Sequence, residues 1–333
     1  MRAVFAAFLA VISVLVVSRA EASDGQRDFP VADKPSLADV YPQRVTRWPG
    51  GVTSLADVTY STLPGYRPMV IDIYQPQKRG GPKPLVLYIH GGGWVGGHTR
   101  HSGALSNFPA VLASLAREGF VVASLEYRLS GEARFPAQVH DARAALRFLK
   151  ANAERYGLDP ARVGVWGGSA GGHLSALTAL SCGVTALDPQ GVSAPAGSEC
   201  VQSAVIWYGV FDFAELVASR AGGSDGAAER LMGCPASCTA EQFSVASPVT
   251  YVDPKDPPFL LIHGDEDKVV PVAQSHIAES RFKAAGVTVD SIYIPGVDHS
   301  FIGSNPVETR AATLRATNAT FDFLHRTMHG SGK

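Results

Sequence analysis

From Lys83 onward the chain alternates between two textures. Short apolar runs carry no polar alternation, and between them lie longer stretches in which apolar residues recur every three to four positions. A strand buried on both faces reads as a continuous apolar run, and a helix packed on one side shows the longer period. The runs are Leu85–His90, Phe120–Tyr127, Val163–Trp166, Ala204–Tyr208, Phe259–His263 and Ser291–Ile294. Helical spacing falls between and after them, over about 102–118, 138–156, 171–181, 272–285 and 307–327. Such alternation predicts an α/β protein with a mostly parallel, doubly wound sheet.

Before this region the texture differs. After a Pro-rich leader over residues 30–50, "GVTSLADVTYSTLPGYRPMVIDIYQP" places β-branched, alternating segments on either side of a Gly/Pro turn at Leu63–Pro68. This predicts an N-terminal antiparallel hairpin. The segment from about 211 to 257 breaks the strand–helix rhythm, is rich in Gly, Ala and Ser, and is expected to form a small lid-like insertion or pocket wall. No internal repeat is visible, so residues 23–333 are expected to form one domain.

Composition then narrows the classes. With 46% hydrophobic and 18% charged residues the chain is not of disordered type, and a formal net charge of -1 offers no electrostatic footprint for nucleic acid or an anionic membrane. The first 22 residues join a basic Arg2, an apolar run from Ala3 to Val17 and a small-x-small site at Ala20-Glu21-Ala22. They read as a secretory signal removed after Ala22, which places the mature protein in the periplasm or outside the cell. The apolar run is short for a membrane span. Export makes the even set Cys182, Cys200, Cys234 and Cys238 a disulfide candidate; three pairings are possible, and local spacing favours Cys182 with Cys200 and Cys234 with Cys238. A metal site at "CPASC" is disfavoured, since neither a His nor a second Cys pair lies nearby.

The candidate chemistry begins at "VWGGSAGGH". Among 34 glycines a lone G-x-S-x-G match is weak, so its context decides. Ser169 directly follows a predicted strand and opens a predicted helix, where Gly167 and Gly171 permit a sharp turn and free N–H groups can hold an oxyanion. The absence of a Lys after these glycines argues against a phosphate loop. A nucleophilic serine needs a histidine base oriented by a carboxylate. "HGDEDKVVP" and "GVDHSF" follow the next buried runs, giving the chain order Ser169, Asp267, His299. Asp265, Glu266 and Asp267 compete as orienter; Asp267 is preferred because Asp265, next to Gly264, suits bonding to backbone amides in the turn. Asp298 reads as a loop residue, His90 and His263 as turn residues and His173 as a packed first-turn residue. "HGGGW" adds Gly92 and Gly93, whose N–H groups, with that of Ala170, form the expected oxyanion hole. Of the aromatic residues near strand ends, Trp94 and Phe301 are expected to face a substrate pocket, and Tyr127, Trp166 and Tyr208 to pack.

Taken in order, "HGGGW", "SLEYRLSGEARFPAQVHDARAALRFL", "GGSAGGH", "HGDEDKVVP" and "DHSF" resemble the landmarks of α/β-hydrolases of the carboxylesterase type, over nearly the whole length after residue 22. The HGGG element and the Tyr-Arg-Leu followed by Phe-Pro-Ala are similar to the hormone-sensitive-lipase-like group. That group usually has Asp before the serine, whereas Gly168 stands here, which brings the chain closer to secreted esterases of the acetyl-xylan or feruloyl type (BD-FAE-type). The resemblance implies cofactor-free hydrolysis through an acyl-enzyme and carries over Ser169, Asp267, His299 and the HGGG donors by motif position, but not a substrate; the expected partner is a small-molecule or polysaccharide-linked ester, with no metal, nucleic acid or membrane partner. Kynurenine formamidases and prolyl peptidases share these elements and keep amide hydrolysis as the alternative; a silent binding module is a remote one.

Overall fold

The computed structural model describes residues 43–77, 80–189, 191, 199–220, 225–234 and 238–329. The expected signal and its cleavage site lie outside them. Among the described residues nine strands form one sheet: β1 (Arg44–Arg47), β2 (Thr53–Ser61), β3 (Met69–Gln75), β4 (Lys83–Ile89), β5 (Val121–Leu125), β6 (Leu158–Gly168), β7 (Ser203–Trp207), β8 (Phe259–Gly264) and β9 (Val289–Ile294). Their spatial order is β1-β2-β3-β5-β4-β6-β7-β8-β9. β2 and β3 form the predicted antiparallel hairpin, and β3 joins β5 antiparallel. From β5 to β9 every pairing is parallel. β1 was not legible as a strand: its four residues are all exposed, so an edge strand of this kind carries no apolar alternation.

The continuous apolar runs are explained by two-sided burial. On β4, Leu85, Leu87 and Ile89 enter one core layer and Val86 and Tyr88 the other; β8 divides the same way between Phe259 and Leu261 and between Leu260 and Ile262. Helices α2 (Ala137–Ala151), α3 (Ala153–Tyr156), α4 (Ala170–Leu180) and α8 (Ala273–Ala285) cover the first layer, and α1 (Phe108–Arg117) and α9 (Pro306–Met328) the second. Two helix boundaries differ from expectation. α1 starts at Phe108 rather than near 102, because the Asn107 side chain accepts the Ala110 N–H and caps it there. The helix expected over 138–156 breaks at Asn152, whose side-chain amide donates to the Phe148 carbonyl.

The segment 211–257 holds α5 (Phe213–Ala218), α6 (Gly226–Met232) and α7 (Ala240–Ala246). Phe213, Leu216, Leu231 and Phe243 turn into the first core layer. The favoured cysteine partners lie at bonding distance, Cys182 with Cys200 and Cys234 with Cys238. Among the described residues no helix is long and apolar enough to cross a membrane.

Two buried polar arrangements hold the loops that follow β4 and β5. Arg128 and Asp141, from the "YRL" and "VHD" of one landmark, form a bidentate pair, with Nη2 donating to Oδ1 at 2.7 Å and Nε to Oδ2 at 2.9 Å. Asp141 also accepts the Arg128 N–H at 2.8 Å. His173 accepts the Trp94 indole N–H at Nδ1 (3.1 Å), so its own proton sits on Nε2 and is donated to the Ala246 carbonyl (2.8 Å). Burial lowers His173 and His90 to about 4 from 6.5.

Replacing Asp141 with Ala leaves a buried guanidinium unpaired and should lower the unfolding free energy by about 3–5 kcal/mol in urea melts. A loss below about 1 kcal/mol would show that the pair is not integral to the fold. The two histidines bind fewer protons folded than unfolded, so their contribution is full above pH 6.5 and lost as the pH falls toward about 4. Each should contribute a slope of up to about 1.4 kcal/mol per pH unit in that window. Unfolding free energies measured across it should therefore fall with acidity, and a flat profile would show that neither ring is held neutral.

Candidate active site

The parallel strands end together at one edge, and the loops leaving them build the site. β6 runs into α4 with Ser169 between them at φ 58° and ψ -124°, a left-handed conformation that few non-glycine residues adopt. This is the strained strand-to-helix turn that projects a serine hydroxyl. The Ser169 N–H donates to the Trp207 carbonyl at the end of β7 (2.9 Å), which ties the turn to the next strand. A Cβ at residue 171 would come within 2.0 Å of the Ile89 carbonyl oxygen, so only glycine lets the first turn of α4 approach the end of β4.

His299 lies in the loop after β9, with Nε2 3.0 Å from Ser169 Oγ and Nδ1 2.7 Å from Asp267 Oδ2. A carboxylate only accepts, so the ring proton sits on Nδ1 and Nε2 is left to accept from the serine hydroxyl. Asp267, in the loop after β8, is 8% exposed, and its Oδ1 accepts the N–H groups of Val269 and Val270, both at 2.8 Å. Burial opposes its ionisation; hydrogen bonds from His263 and His299 outweigh that and hold the carboxyl well below the usual carboxylate range.

Two other carboxylates of these loops, Asp265 and Asp298, have other partners. Asp265 accepts the Gly296 N–H at 2.8 Å, and Asp298 accepts those of Lys268 (2.8 Å) and His299 (2.7 Å). Both stitch the β8 and β9 loops together, which sets the separation between Asp267 and His299. His263 contributes beyond its expected role as a turn residue. Its Nε2 proton faces the Val270 carbonyl at 2.8 Å and Asp267 Oδ2 at 3.2 Å. Its position four residues before Asp267 was the available signal, and it does not distinguish a turn contact from support of the carboxylate.

A cavity of about 670 Å³ opens above Ser169 and His299. Gly91, Gly92 and Gly93 line one side of it, with Gly92 at φ +114° and Gly93 at φ +59°. Val95 and Gly96 donate their N–H groups to the Gly92 carbonyl, which folds the loop back on itself. Ala170 is the first residue of α4, so its N–H has no intrahelical acceptor. The next part of the loop is held by Asp72 of β3, which accepts from Thr99 Oγ1 (2.9 Å) and Arg100 Nε (2.8 Å). That anchor places His101 and Ser102 on the cavity wall.

Neither aromatic residue expected in the pocket lines this cavity. Trp94 is 3% exposed, bonded to His173 and packed on Phe213, and Phe301 is 1% exposed between Trp207 and Tyr208. Both have positive φ, 59° at Trp94 and 60° at Phe301. Tyr208, expected only to pack, lines the cavity instead, its ring centroid 4.7 Å from that of His299. Burial pushes its phenol up, so the hydroxyl stays protonated. None of the described residues of segment 211–257 lines the cavity.

Comparison with known proteins agrees with this geometry. The sequence profile of the BD-FAE family matches residues 71–282. Esterase LipC of Mycobacterium tuberculosis is 36% identical over 224 residues, 66% of this chain and 53% of that one. Esterase LipQ of the same organism is 30% identical over 275 residues, 81% of this chain and 61% of that one. The chain thus spans between half and two thirds of the length of these curated relatives. Among solved structures, a truncated carbohydrate esterase from gut microbiota superposes with a TM-score of 0.68 at 28% identity, over 83% of this chain and 96% of that one. The fold is that of the α/β-hydrolases, and the chain belongs to the BD-FAE family.

Proposed function

We propose that the protein is a serine carboxylic-ester hydrolase acting through an acyl-enzyme on short acyl esters. The observation that carries this reading is the hydrogen-bonded series from Asp267 through His299 to Ser169, at 2.7 and 3.0 Å, opening on a solvent-accessible cavity. His299 Nε2 removes the proton from Ser169 Oγ as the oxygen attacks the ester carbonyl. The N–H groups of Gly92, Gly93 and Ala170 receive the charge on the tetrahedral oxygen. His299 then protonates the departing alcohol, and a water molecule activated by the same ring releases the acid. Asp267, ionised across the working pH range, holds the imidazole in the required tautomer and stabilises the imidazolium.

For the substrate, acetyl or feruloyl esters of plant polysaccharide are the proposed class. The similarity to a carbohydrate esterase supports a carbohydrate alcohol. A separate groove of about 710 Å³ that shares Ile302 with the lining of the catalytic cavity is compatible with a bulky alcohol. We place the protein outside the cytoplasm; disulfide pairing at Cys182–Cys200 and Cys234–Cys238 is compatible with an oxidising compartment.

Ser169→Ala should lower kcat on p-nitrophenyl acetate by about 10³-fold or more. Wild-type turnover in that variant would refute the mechanism. Asp267→Asn should cost far more activity than Asp265→Asn, because only the former faces the imidazole; equal losses would move the orienting role elsewhere. A panel of p-nitrophenyl acetate to octanoate, acetylated xylan and methyl ferulate tests the substrate class, for which activity on the aryl esters alone would be the contrary result.

A further inference from the structure

Gly168 stands where the hormone-sensitive-lipase-like group usually has Asp, and the structure supplies a steric partner for it. Nothing in the backbone at 168 demands glycine, as its φ lies outside the left-handed region. The space beside it is what is taken. A Cβ at this position would lie 2.9 Å from Tyr208 Cε2, 3.1 Å from the phenol oxygen and 3.2 Å from Cζ. Tyr208 itself has φ +36°, an unusual conformation for an aromatic residue, and is held there by its N–H donating to the Ile262 carbonyl at 2.8 Å. Its neighbour Gly209 abuts the first turn of α4, where Gly172 would place a Cβ 3.0 Å from Gly209 Cα.

From this seat the ring of Tyr208 meets the loop that carries the base. Its centroid lies 4.7 Å from His299 and 4.8 Å from Phe301, with interplanar angles of 59° and 71°. The hydroxyl reaches the cavity wall where Gly103 and Ser300 converge. The hydrogen bonds of His299 to Asp267 and Ser169 fix two points of the imidazole, which leaves the ring free to tilt about the line between them. An aromatic ring packed against it, tilted by 59°, would restrict that freedom.

Resting on the hydrolase reading above, we propose that Tyr208 is the positioning residue for the His299 imidazole, and that Gly168 is required because a side chain there would displace the phenol ring. The two positions are one steric unit, so their substitutions must interact rather than add.

The test is a cycle of Tyr208→Phe, Tyr208→Leu, Tyr208→Ala, Gly168→Ala and Gly168→Ala with Tyr208→Ala, assayed for kcat and KM on p-nitrophenyl acetate and for the rate of Ser169 labelling by a fluorophosphonate. Tyr208→Phe keeps the face and should stay within about threefold of wild type in kcat, whereas Tyr208→Leu and Tyr208→Ala should lose about 10- to 100-fold in kcat with KM little changed. Labelling should slow in parallel. Gly168→Ala should lose about tenfold or more in the wild-type background and less than about twofold once Tyr208 is Ala. If Tyr208→Ala does not fold, Tyr208→Leu takes its place in both corners of the cycle. Wild-type kcat in Tyr208→Leu, a loss in Tyr208→Phe as large as in Tyr208→Leu, or equal costs of Gly168→Ala in both backgrounds overturns the proposal alone. Wild-type protein that neither turns over esters nor takes the label overturns the hydrolase reading and this inference with it.

Discussion

The carbonyl oxygens of Ile89 and His90 lie 2.0 and 2.5 Å from where a Cβ at residue 171 would sit. This backbone contact between the end of β4 and the first turn of α4 brings the glycine loop at 91–93 against the turn that carries Ser169. A Cβ at Gly91 would in turn meet the Gly168 carbonyl oxygen at 2.8 Å and Ser169 Cβ at 3.3 Å. The turn that carries Ser169 and the glycine loop therefore share one closely packed seam, and Asp267 and His299 need only reach it from neighbouring strands. The parallel order β4-β6-β7-β8-β9 provides that, since each strand delivers its loop at the same edge.

Charge in the site follows from the same arrangement. Asp267 sits below the surface, where its ionised form requires compensation, and receives it from two backbone N–H groups and two imidazoles. These bonds fix the position of the carboxylate, which would spare reorganisation in the proposed proton transfer at His299. His90 and His173, which the same burial keeps neutral, serve the scaffold. His173 binds Trp94 on one side and the Ala246 carbonyl on the other, linking the glycine loop to the helical segment that follows β7.

Much of this was legible in the residues. Two-sided apolar runs predicted the central strands, with ends within two residues of those in the structure except at β6, which begins at Leu158, five residues before the predicted Val163. The order of Ser169, Asp267 and His299 followed from what each strand end offers, as did the preference for Asp267 over Asp265, which the structure engages with the Gly296 amide. The edge strand β1 was not legible, because exposed positions carry no periodicity. The start of α1 depended on a side-chain cap at Asn107, whose composition signal is shared by many loop residues.

The aromatic residues mark the boundary most clearly. The sequence places Trp94, Tyr208 and Phe301 alike at or near strand ends, and nothing in their neighbours distinguishes them. Sequence by itself determined the strand and helix periods, the glycines that a sharp turn requires and the types of group available for catalysis, because these depend on local sterics and on spacing along the chain. Which ring faces the cavity, which faces the core, and that Tyr208 occupies the room left by Gly168 were decided only by the tertiary structure. Side-chain direction at a strand end depends on backbone dihedrals and on volumes filled by residues distant in the chain, and neither is encoded in a local pattern.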